Sequence, residues 1–379
     1  MKKLLIMASL FWPQKNSGGP PISIMNLVQA IKDKFDIYII SKNHEINDVT
    51  PLEGIVSGWN QFEFGKAFYT NKGEHTFKHI SKLIEEVKPD VIYQNSFFSI
   101  DDLLPVLIYK KKHKSVKVIV APRGEFYPER LQVGKLKKIA YAKFFRYSSL
   151  LKDIYFQGTG EEECFQENTF LGIPKNYLLN ISNLSLASKP LDCSLFKSPD
   201  ELKLVYIARI HPTKNTLKAI QWLAKLSGSV VYDIYGSIEN VEYWSQCLDE
   251  IDKLPKNISV SYKGVINHAD VAGTLSRYHA FYMPTSGENF GHSIVEAMLL
   301  GKPVIISDQT PWTDVNSNGG FAFPLSNEVA FKKALCDLLI MDNDSYNHLS
   351  VLIESYIKKK LNIEEIIKQY VSAFNGNCL

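Results

Sequence analysis

Two glutamates, Glu288 and Glu296, stand with seven residues between them inside the stretch 284–303. This stretch follows an apolar run over 280–283 that is typical of a buried strand, and its apolar residues from 294 to 299 recur with helical spacing. One carboxylate is therefore expected at the start of a helix and the other along its first turns. Unpaired N–H groups at a helix N-terminus suit a diphosphate, whereas carboxylates suit hydroxyl groups such as those of a sugar or a ribose. The stretch thus predicts a binding site for a nucleotide-sugar.

The same stretch resembles a known signature. Residues 287–305 read GENFGHSIVEAMLLGKPVI, which is similar to the Glu-x7-Glu signature of retaining, family-four-like glycosyltransferases with the GT-B fold. The resemblance implies that Glu288 contacts the donor hexose, that Glu296 contacts the ribose hydroxyls and that amides near Gly291 hold the distal phosphate. A capped core helix with solvated carboxylates is the alternative. The donor-binding residues predicted here are Asn289, Phe290, Gly291, His292, Ser293 and Glu296.

Two cations, Arg209 and Lys214, follow the first predicted strand of the second half of the chain. Residues 208–215 read ARIHPTKN and resemble the family's Gly-Arg-Leu-x-x-x-Lys-Gly, with Ala208 and Asn215 in place of the glycines. An arginine fork and a lysine point charge suit a diphosphate that gains negative charge as it leaves. Two solvated loop cations are the alternative for this pair taken alone. We assign both residues to catalysis, and we expect the missing glycines to alter the shape of the loop more than its charge.

Glycines supply two further candidate contacts. Gly18 and Gly19 lie between the first strand and the first helix, where a glycine backbone can approach a ligand closely and offer N–H donors. The resemblance implies that this loop faces the donor diphosphate across the cleft, and a simple turn is the alternative. Gly264 and Val265 follow another strand, where the nucleotide base could rest against the backbone.

The segment Arg123-Gly124-Glu125 ends a predicted strand of the first half. Many members of the family have a histidine in this region that acts near the donor sugar, and this chain has none there. We take Arg123 and Glu125 as candidate catalytic residues that bind the acceptor, the donor sugar or each other. A purely structural salt bridge is the alternative.

Strand-like runs alternate with helical patterns through both halves, which predicts parallel βαβ units in doubly wound sheets. No strand is predicted between Ser41 and His75. The resemblance implies the GT-B architecture, in which two Rossmann-like domains face each other across a cleft. We predict the following domain boundaries: an acceptor-side domain over 1–180, a linker over 181–200, a donor domain over 201–352, and a final helix over 353–379 that crosses back to the first domain.

Composition excludes several classes of protein. Of 379 residues 45% are hydrophobic and 22% are charged, as in ordinary folded soluble proteins, and a net charge of +3 gives no sign of a nucleic-acid partner. Five scattered cysteines without a Cys-x-x-Cys pair fit a reducing compartment. The apolar run at the start is interpreted as a buried strand and not as a signal peptide, and no run reaches the ~20 apolar residues of a membrane span. We therefore expect a cytoplasmic protein.

Other motifs are interpreted as structural. Asp342-Asn-Asp344 matches the Asp-x-Asp of a different transferase fold, but it falls between two helices, where Asp344 is expected to act as a cap. No metal site and no cofactor are predicted, since the nucleotide-sugar is a substrate. No Gly-x-Gly-x-x-Gly follows a strand, which disfavours a Rossmann dehydrogenase.

The segment Lys135–Lys152 is basic and carries apolar residues at helical spacing. Basic amphipathic helices can lie on anionic membranes, at the inner face of the cell membrane for a cytoplasmic protein. A core helix with a solvated basic face is the alternative.

These observations lead to one function and two alternatives. The first is a retaining, metal-independent hexosyltransferase that uses a nucleoside-diphosphate sugar, with UDP-sugars favoured over GDP-mannose. Its acceptor would be a glycan or lipid-linked glycan of a surface polysaccharide such as lipopolysaccharide. The alternatives are a GT-B-like sugar-nucleotide epimerase or phosphorylase, and a non-catalytic subunit that binds a nucleotide-sugar.

Overall fold

The computed structural model describes residues 1–14, 18–45, 48–127, 131, 134–186 and 195–376. The chain divides into two compact units. The first unit consists of Met1–Leu184 together with Ile363–Leu379, and the second unit consists of Ser185–Asn362. Part of the predicted linker, residues 187–194, lies outside the described residues.

The first unit contains an eight-stranded sheet. Its strands are β1 Lys3–Met7, β2 Asp36–Lys42, β3 Gly58–Phe62, β4 Gly65–Thr70, β5 Val91–Asn95, β6 Lys117–Ala121, β7 Tyr155–Gly158 and β8 Leu178–Asn180. Their order across the sheet is β3-β4-β2-β1-β5-β6-β7-β8. All neighbouring strands are parallel except β3, which pairs with β4 in the antiparallel sense at the edge.

Helices connect these strands, as the alternating pattern predicts. Within the described residues, the helices of the first unit are α1 Gly19–Ile31, α2 Phe77–Val87, α3 Ile100–Lys112, α4 Lys135–Tyr147, α5 Glu161–Leu171 and, near the end of the chain, α12 Ile363–Asn375. The central strands read as near-continuous apolar runs because helices on both faces of a parallel sheet exclude water. All five residues of β5 are buried.

The second unit contains a six-stranded parallel sheet. Its strands are β9 Glu201–Ile207, β10 Ser229–Tyr235, β11 Ile258–Gly264, β12 Ala280–Met283, β13 Val304–Ser307 and β14 Phe321–Phe323. Its helices are α6 Thr216–Leu223, α7 Val241–Ile251, α8 His268–Leu275, α9 His292–Leu299, α10 Glu328–Ile340 and α11 Asn343–Leu361. The strand order is β11-β10-β9-β12-β13-β14, so the sheet grows outward in one direction from β9 and then in the other from β12.

Three local expectations are corrected. The predicted final helix from residue 353 is two helices, α11 and α12, because Asn362 adopts a left-handed conformation (φ 32°) that ends α11. The helix cap near residue 344 is Asp342, whose carboxylate accepts a hydrogen bond from the Ser345 N–H, and Asp344 lies inside the first turn. The hairpin β3–β4 occupies the stretch after Ser41 in which no strand was expected.

In the part of the chain that the structure describes, no helix is both long enough and apolar enough to cross a membrane.

Candidate functional site

The candidate site of the second unit lies where the strand order reverses. The strands β9 and β12 are neighbours in the sheet, yet the chain continues from β9 toward one edge and from β12 toward the other. At such a reversal the loops after the two strands diverge and leave a crevice at their carboxyl ends, where ligands of open α/β sheets bind. The loop after β9 carries Arg209 and Lys214, and the loop after β12 carries Glu288.

Backbone and side-chain hydrogen bonds fix these two loops to each other. The carbonyl oxygen of Thr213 accepts a hydrogen bond of 2.7 Å from the Ser286 N–H. The side-chain amide of Asn215 donates to the Pro284 carbonyl oxygen at 2.8 Å and to the Ser286 hydroxyl at 2.9 Å. The short 3-10 turn Pro212–Lys214 is thereby held against the loop that carries Glu288.

Asn215 also explains how this loop forms without a glycine at that position. Its φ of 54° lies in the left-handed region, which asparagine tolerates better than other non-glycine residues. Ala208, at the other expected glycine, has a negative φ, and the close approach is supplied by Gly236 instead. A Cβ atom on Gly236 would lie 1.9 Å from the Ala208 carbonyl oxygen. Asn215 and Gly236 thus provide the left-handed residue and the close backbone approach in this loop.

Lys214 and Glu288 form an ion pair between the loop that follows β9 and the loop that follows β12. The Nζ–Oε1 distance is 2.5 Å, and the side chains are only 10% and 16% exposed. The Glu288 N–H donates to the Gln309 carbonyl oxygen at 3.0 Å, which fixes the carboxylate's backbone. A charge that is largely removed from water needs a partner of opposite charge, and here each of the two side chains is the partner of the other.

The helix α9 begins directly after Gly291, which has φ 74° and occupies the cap position. A Cβ there would lie 3.0 Å from Ile294 Cδ1. The preceding residue, Phe290, is held by its carbonyl oxygen, which accepts a 2.6 Å hydrogen bond from Trp312 Nε1, and its ring packs against the His292 ring with centroids 4.8 Å apart. Of the other residues predicted to bind the donor here, Asn289 and Ser293 are half-buried and His292 is buried.

Glu296 lies inside α9 and is 4% exposed. Its Oε1 lies 2.8 Å from Nε2 of His268, the first residue of α8, whose side chain is 44% exposed. This hydrogen bond raises the pKa of His268 above its ordinary value of 6.5. Four residues earlier, Gly264 ends β11 with φ 80° and is followed by the exposed side chain of Val265. Gly264 and Val265, which are predicted to lie against the base, therefore stand only a few residues before His268, the partner of Glu296.

Arg209 has a different partner from the one expected. Its Nη1 donates to both carboxylate oxygens of Glu239, at 2.7 and 2.9 Å, and both side chains are 31% exposed. The two loops also meet through a bridge between Ile210 and Ile238. An anion that binds Arg209 must therefore compete with Glu239 or share the guanidinium with it.

The candidates of the first unit lie at the carboxyl end of its own sheet. Gly18 has φ 71° and precedes α1, whose first turn contains Gly19 and two prolines. Residues 15–17 of this loop lie outside the described residues. A positive φ of this size is a conformation that glycine adopts without strain, which accounts for Gly18.

Arg123 is tied into the first unit by four hydrogen bonds. Its Nε and Nη2 donate to Asn95 Oδ1 at 3.0 Å, Nη2 donates to the Tyr93 hydroxyl at 3.0 Å, and Nη1 donates to Asn183 Oδ1. Its φ of 57° is unusual for a residue other than glycine. Strained backbone of this kind persists only where the surroundings hold it, and such positions cluster at functional sites.

Glu125 is engaged separately from Arg123. Its carboxylate accepts hydrogen bonds from the Ser96 hydroxyl at 2.5 Å and from the N–H groups of Phe97 and Phe98 at 2.6 and 3.3 Å. Burial raises the pKa of this carboxyl above its usual range, and the three donors act against that rise. The two residues do not pair with each other, so the salt-bridge alternative is wrong. Their contact with a substrate stays a prediction.

The sequence analysis assigned no role in the site to three residues that help to form it: His268, Asn215 and Glu239. Asn215 could have been found, because an asparagine in place of a glycine is a signal of left-handed backbone. His268 and Glu239 carry no such signal, since each meets its partner only through the sheet. Within the described residues, no group of three or more His, Cys, Asp or Glu side chains is placed to hold a metal ion.

Comparison with known proteins shows which family model and which folds this chain resembles. Residues 192–352, which include Arg209, Lys214, Glu288 and Glu296, match the family model described as glycosyl transferases group 1. Anabaena HepE in complex with UDP and glucose is similar over 99% of this chain and 100% of its own, with a TM-score of 0.71 and 17% identity. The chain has the GT-B fold.

Two further structures share that fold across nearly their whole length. Sucrose-phosphate synthase from Thermosynechococcus elongatus has a TM-score of 0.69 at 15% identity, and the match covers 99% of both chains. A variant of S. aureus TarM in complex with Fondaparinux, alpha-GlcNAc-glycerol and UDP has a TM-score of 0.68 at 13% identity, over 99% of this chain and 100% of that one. No curated protein sequence matches significantly. The predicted GT-B fold is confirmed.

Proposed function

We propose that the protein is a retaining glycosyltransferase that moves a hexose from a nucleoside-diphosphate sugar to an acceptor hydroxyl. The observation that carries the proposal is the buried pair of Lys214 and Glu288 at the strand reversal, with Glu296 on the adjoining helix. The family match over 192–352 includes all three residues. The complex of HepE with UDP-glucose and that of TarM with UDP support a UDP-sugar donor over GDP-mannose.

In this mechanism the second unit binds the donor. The N-terminus of α9 faces the distal phosphate, because its first N–H groups carry a partial positive charge. Glu288 accepts hydrogen bonds from the hexose hydroxyls and Glu296 from the ribose hydroxyls, while the backbone at Gly264 and Val265 lies against the base. Lys214 already has a carboxylate partner, so donor binding exchanges a contact without leaving a buried charge unpaired.

Bond cleavage leaves a diphosphate whose negative charge grows. Lys214, with Arg209 released from Glu239, stabilises this charge most strongly in the transition state. The leaving phosphate oxygen accepts the proton of the acceptor hydroxyl, which attacks from the same face, so the anomeric configuration is retained. The reaction needs no metal ion and no cofactor. Arg123 and Glu125 of the first unit position the acceptor.

The acceptor we propose is a glycan or a lipid-linked glycan of a surface polysaccharide, and the reaction takes place in the cytoplasm. A structure of the lipopolysaccharide outer core galactosyltransferase WaaB has a TM-score of 0.59 to this chain at 14% identity. That similarity supports the choice of acceptor class.

Thermal shift with nucleotides tests donor binding. A ligand that binds only the folded state at one hundred times its Kd adds about 2.7 kcal/mol to the free energy of unfolding. We expect UDP and UDP-hexoses to raise Tm and GDP to raise it less. Lys214→Ala should lose most of the shift, whereas Lys218→Ala, an exposed lysine on α6, should keep it. No shift with any nucleotide or nucleotide-sugar at high concentration would argue against the proposal.

Turnover tests the chemistry. Lys214→Ala should lower kcat by about a hundredfold or more, the typical loss when one group that stabilises transition-state charge is removed. Glu288→Gln should lower it as well, and NMR of the product should show the donor's anomeric configuration. Full turnover of an accepted donor by Lys214→Ala or by Glu288→Ala would contradict the mechanism. A product formed without an acceptor would favour an epimerase or phosphorylase instead.

A further inference from the structure

The helix α4 of the first unit has an unusual composition. Its thirteen residues, KLKKIAYAKFFRY, contain five basic residues and no acidic one. Four aromatic residues are interleaved with them. An ordinary surface helix of a globular protein turns its apolar residues inward and its charges outward.

This helix is apolar on both faces. Ala142 and Phe145 are 3% and 1% exposed and pack into the core of the first unit. Leu136, Phe144 and Tyr147, in contrast, are 85%, 63% and 82% exposed. Their spacing of eight and three residues places them on one side of the helix, and the exposed Ala140 lies between them. The outer face therefore carries a continuous apolar stripe in water.

Cations border the stripe. Lys137 and Lys143 are exposed, and helical spacing places one on each side of the line from Leu136 to Tyr147. On the inner side, the Lys138 amine lies 5.5 Å from the centroid of the Phe98 ring, and Arg146 donates to the Thr169 carbonyl oxygen at 2.9 Å. Lys138 and Arg146 thus hold the helix against the rest of the first unit, whereas Lys137 and Lys143 can contact an external partner.

Further basic residues belong to α3, a helix that contacts the segment directly after α4. The 3-10 helix Ser149–Leu151, directly after α4, contacts α3. The last turn of α3 consists of Lys110, Lys111 and Lys112. Clusters of four to eight basic residues beside an apolar helix face are the pattern that anionic lipid surfaces attract.

We propose that α4 docks the protein on the surface of an anionic phospholipid bilayer. Leu136, Phe144 and Tyr147 enter the boundary between headgroups and acyl chains, and Lys137 and Lys143 contact lipid phosphates. Large apolar side chains bordered by lysines on a single helix face fit this boundary, where one side of the helix is apolar and its margins meet negative charge. The docking goes beyond the transfer reaction and does not depend on it.

Co-sedimentation of the full-length protein with vesicles tests the proposal. Vesicles of equal phosphatidylcholine and phosphatidylglycerol should sediment the protein, and pure phosphatidylcholine should sediment little. Lys137→Glu with Lys143→Glu should weaken partitioning by at least about twenty-five-fold, because each lysine near an anionic surface contributes about fivefold. Leu136→Ser with Phe144→Ser and Tyr147→Ser should abolish it.

Two controls keep the test specific. Val329→Ser with Val351→Ser removes apolar side chains that are 77% and 62% exposed in the second unit, and it should bind vesicles as the unchanged protein does. The α4 variants should keep their Tm, because the substituted side chains are exposed. Equal binding of the unchanged protein and the α4 triple variant would overturn the proposal. So would self-association in solution that depends on the stripe without vesicle binding, since the stripe would then be a protein interface.

Discussion

Asn215 shows how a single residue both shapes the candidate donor site and joins its two loops. Its backbone is left-handed, and its side-chain amide bonds to Pro284 and Ser286. Substitution by alanine removes both the tolerance of left-handed backbone and the side-chain hydrogen bonds, whereas substitution by glycine removes only the hydrogen bonds. The two substitutions therefore separate conformation from contact.

We expect Asn215→Ala to destabilise the protein more than Asn215→Gly does. The left-handed conformation costs an alanine about 1–2 kcal/mol that glycine avoids. Urea unfolding monitored by the tryptophans of the second unit measures the difference in free energy of unfolding. Equal losses in the two variants would show that the φ of this residue contributes nothing to stability.

His268 gives the site a dependence on pH. Its pKa is raised by the hydrogen bond to Glu296, so the folded state holds the proton more tightly than the unfolded state does. The resulting stability is fully present below the unfolded pKa of about 6.5 and is lost as pH rises through the raised pKa. Because the ring is 44% exposed, the contribution should stay below about 1 kcal/mol.

The measurement is Tm against pH for the unchanged protein and for His268→Gln, which keeps a donor toward Glu296 but cannot titrate. The advantage of the unchanged protein should be largest in mildly acidic buffer and should shrink as pH rises. Asp270 is the other titratable residue in the first turn of α8, and Asp270→Asn should leave the difference in place. An advantage that grows with pH would contradict the assignment.

The site residues that could be predicted from the sequence are those that belong to a motif with fixed spacing along the chain. Glu288 and Glu296 are separated by a fixed count along one loop and helix, and Lys214 stands a fixed count after Arg209. The partners of these residues are not local. Glu239 contacts Arg209 from the loop after β10, the strand next to β9, and His268 contacts Glu296 from a different helix, so each contact exists only once the sheet is assembled.

At the scale of elements, the alternation of buried strands and helices predicts most of both sheets. The prediction misses β3, β4, β8 and β14 for one physical reason. They are edge strands or lie next to an edge, are short or half-exposed, and lack the continuous apolar run that identifies a strand buried on both faces. The hairpin β3–β4 is also hard to recognise because its turn, Glu63-Phe64, contains an aromatic residue.

The helix α5 contains a carboxyl group that the fold stabilises poorly. Glu167 is fully buried and neither of its carboxyl oxygens has a hydrogen-bond partner. Burial, with a smaller contribution from Glu163, raises its pKa well above 4.5. The folded state therefore binds this proton more tightly than the unfolded state, and stability falls as pH rises from about 4.5 toward the raised pKa.

We expect Glu167→Gln to increase Tm at neutral pH. The corresponding gain in the free energy of unfolding should grow by at most about 1.4 kcal/mol per pH unit. Glu163→Gln is the matched control one helical turn away. Its carboxylate accepts hydrogen bonds from the Gly124 N–H and from the Thr159 N–H and hydroxyl, so its loss should lower Tm. Scanning calorimetry at several pH values gives both trends. A pH-independent effect of Glu167→Gln would show that the carboxyl is not the cause.

At the scale of the whole molecule, the first unit is built from two distant parts of the chain. Phe374 of α12 is 1% exposed and packs edge-on against Phe35 and Tyr93. The neighbouring Tyr370 accepts a 3.2 Å hydrogen bond from Gln157 Nε2. The core of this unit thus depends on its last helix.

Phe374→Ala should cost the first unit about 3–5 kcal/mol, as for other large-to-small changes of a buried aromatic residue. Hydrogen exchange locates the loss: amides of β5 should lose protection, while those of β12 in the second unit should keep it. Phe331→Ala, at a fully buried position of the second unit, should give the reverse pattern. Uniform loss of protection in both sheets would show that the two units unfold together.

The division of the chain between its two units at Asn362 also bears on the order in which the units are completed during synthesis. Everything that the ribosome delivers between Ser185 and Asn362 belongs to the second unit, and only afterwards does α12 emerge. Until α12 has been made, Phe35 and Tyr93 lack their ring contacts with Phe374. The first unit therefore completes its core only after the whole sequence of the second unit has been translated.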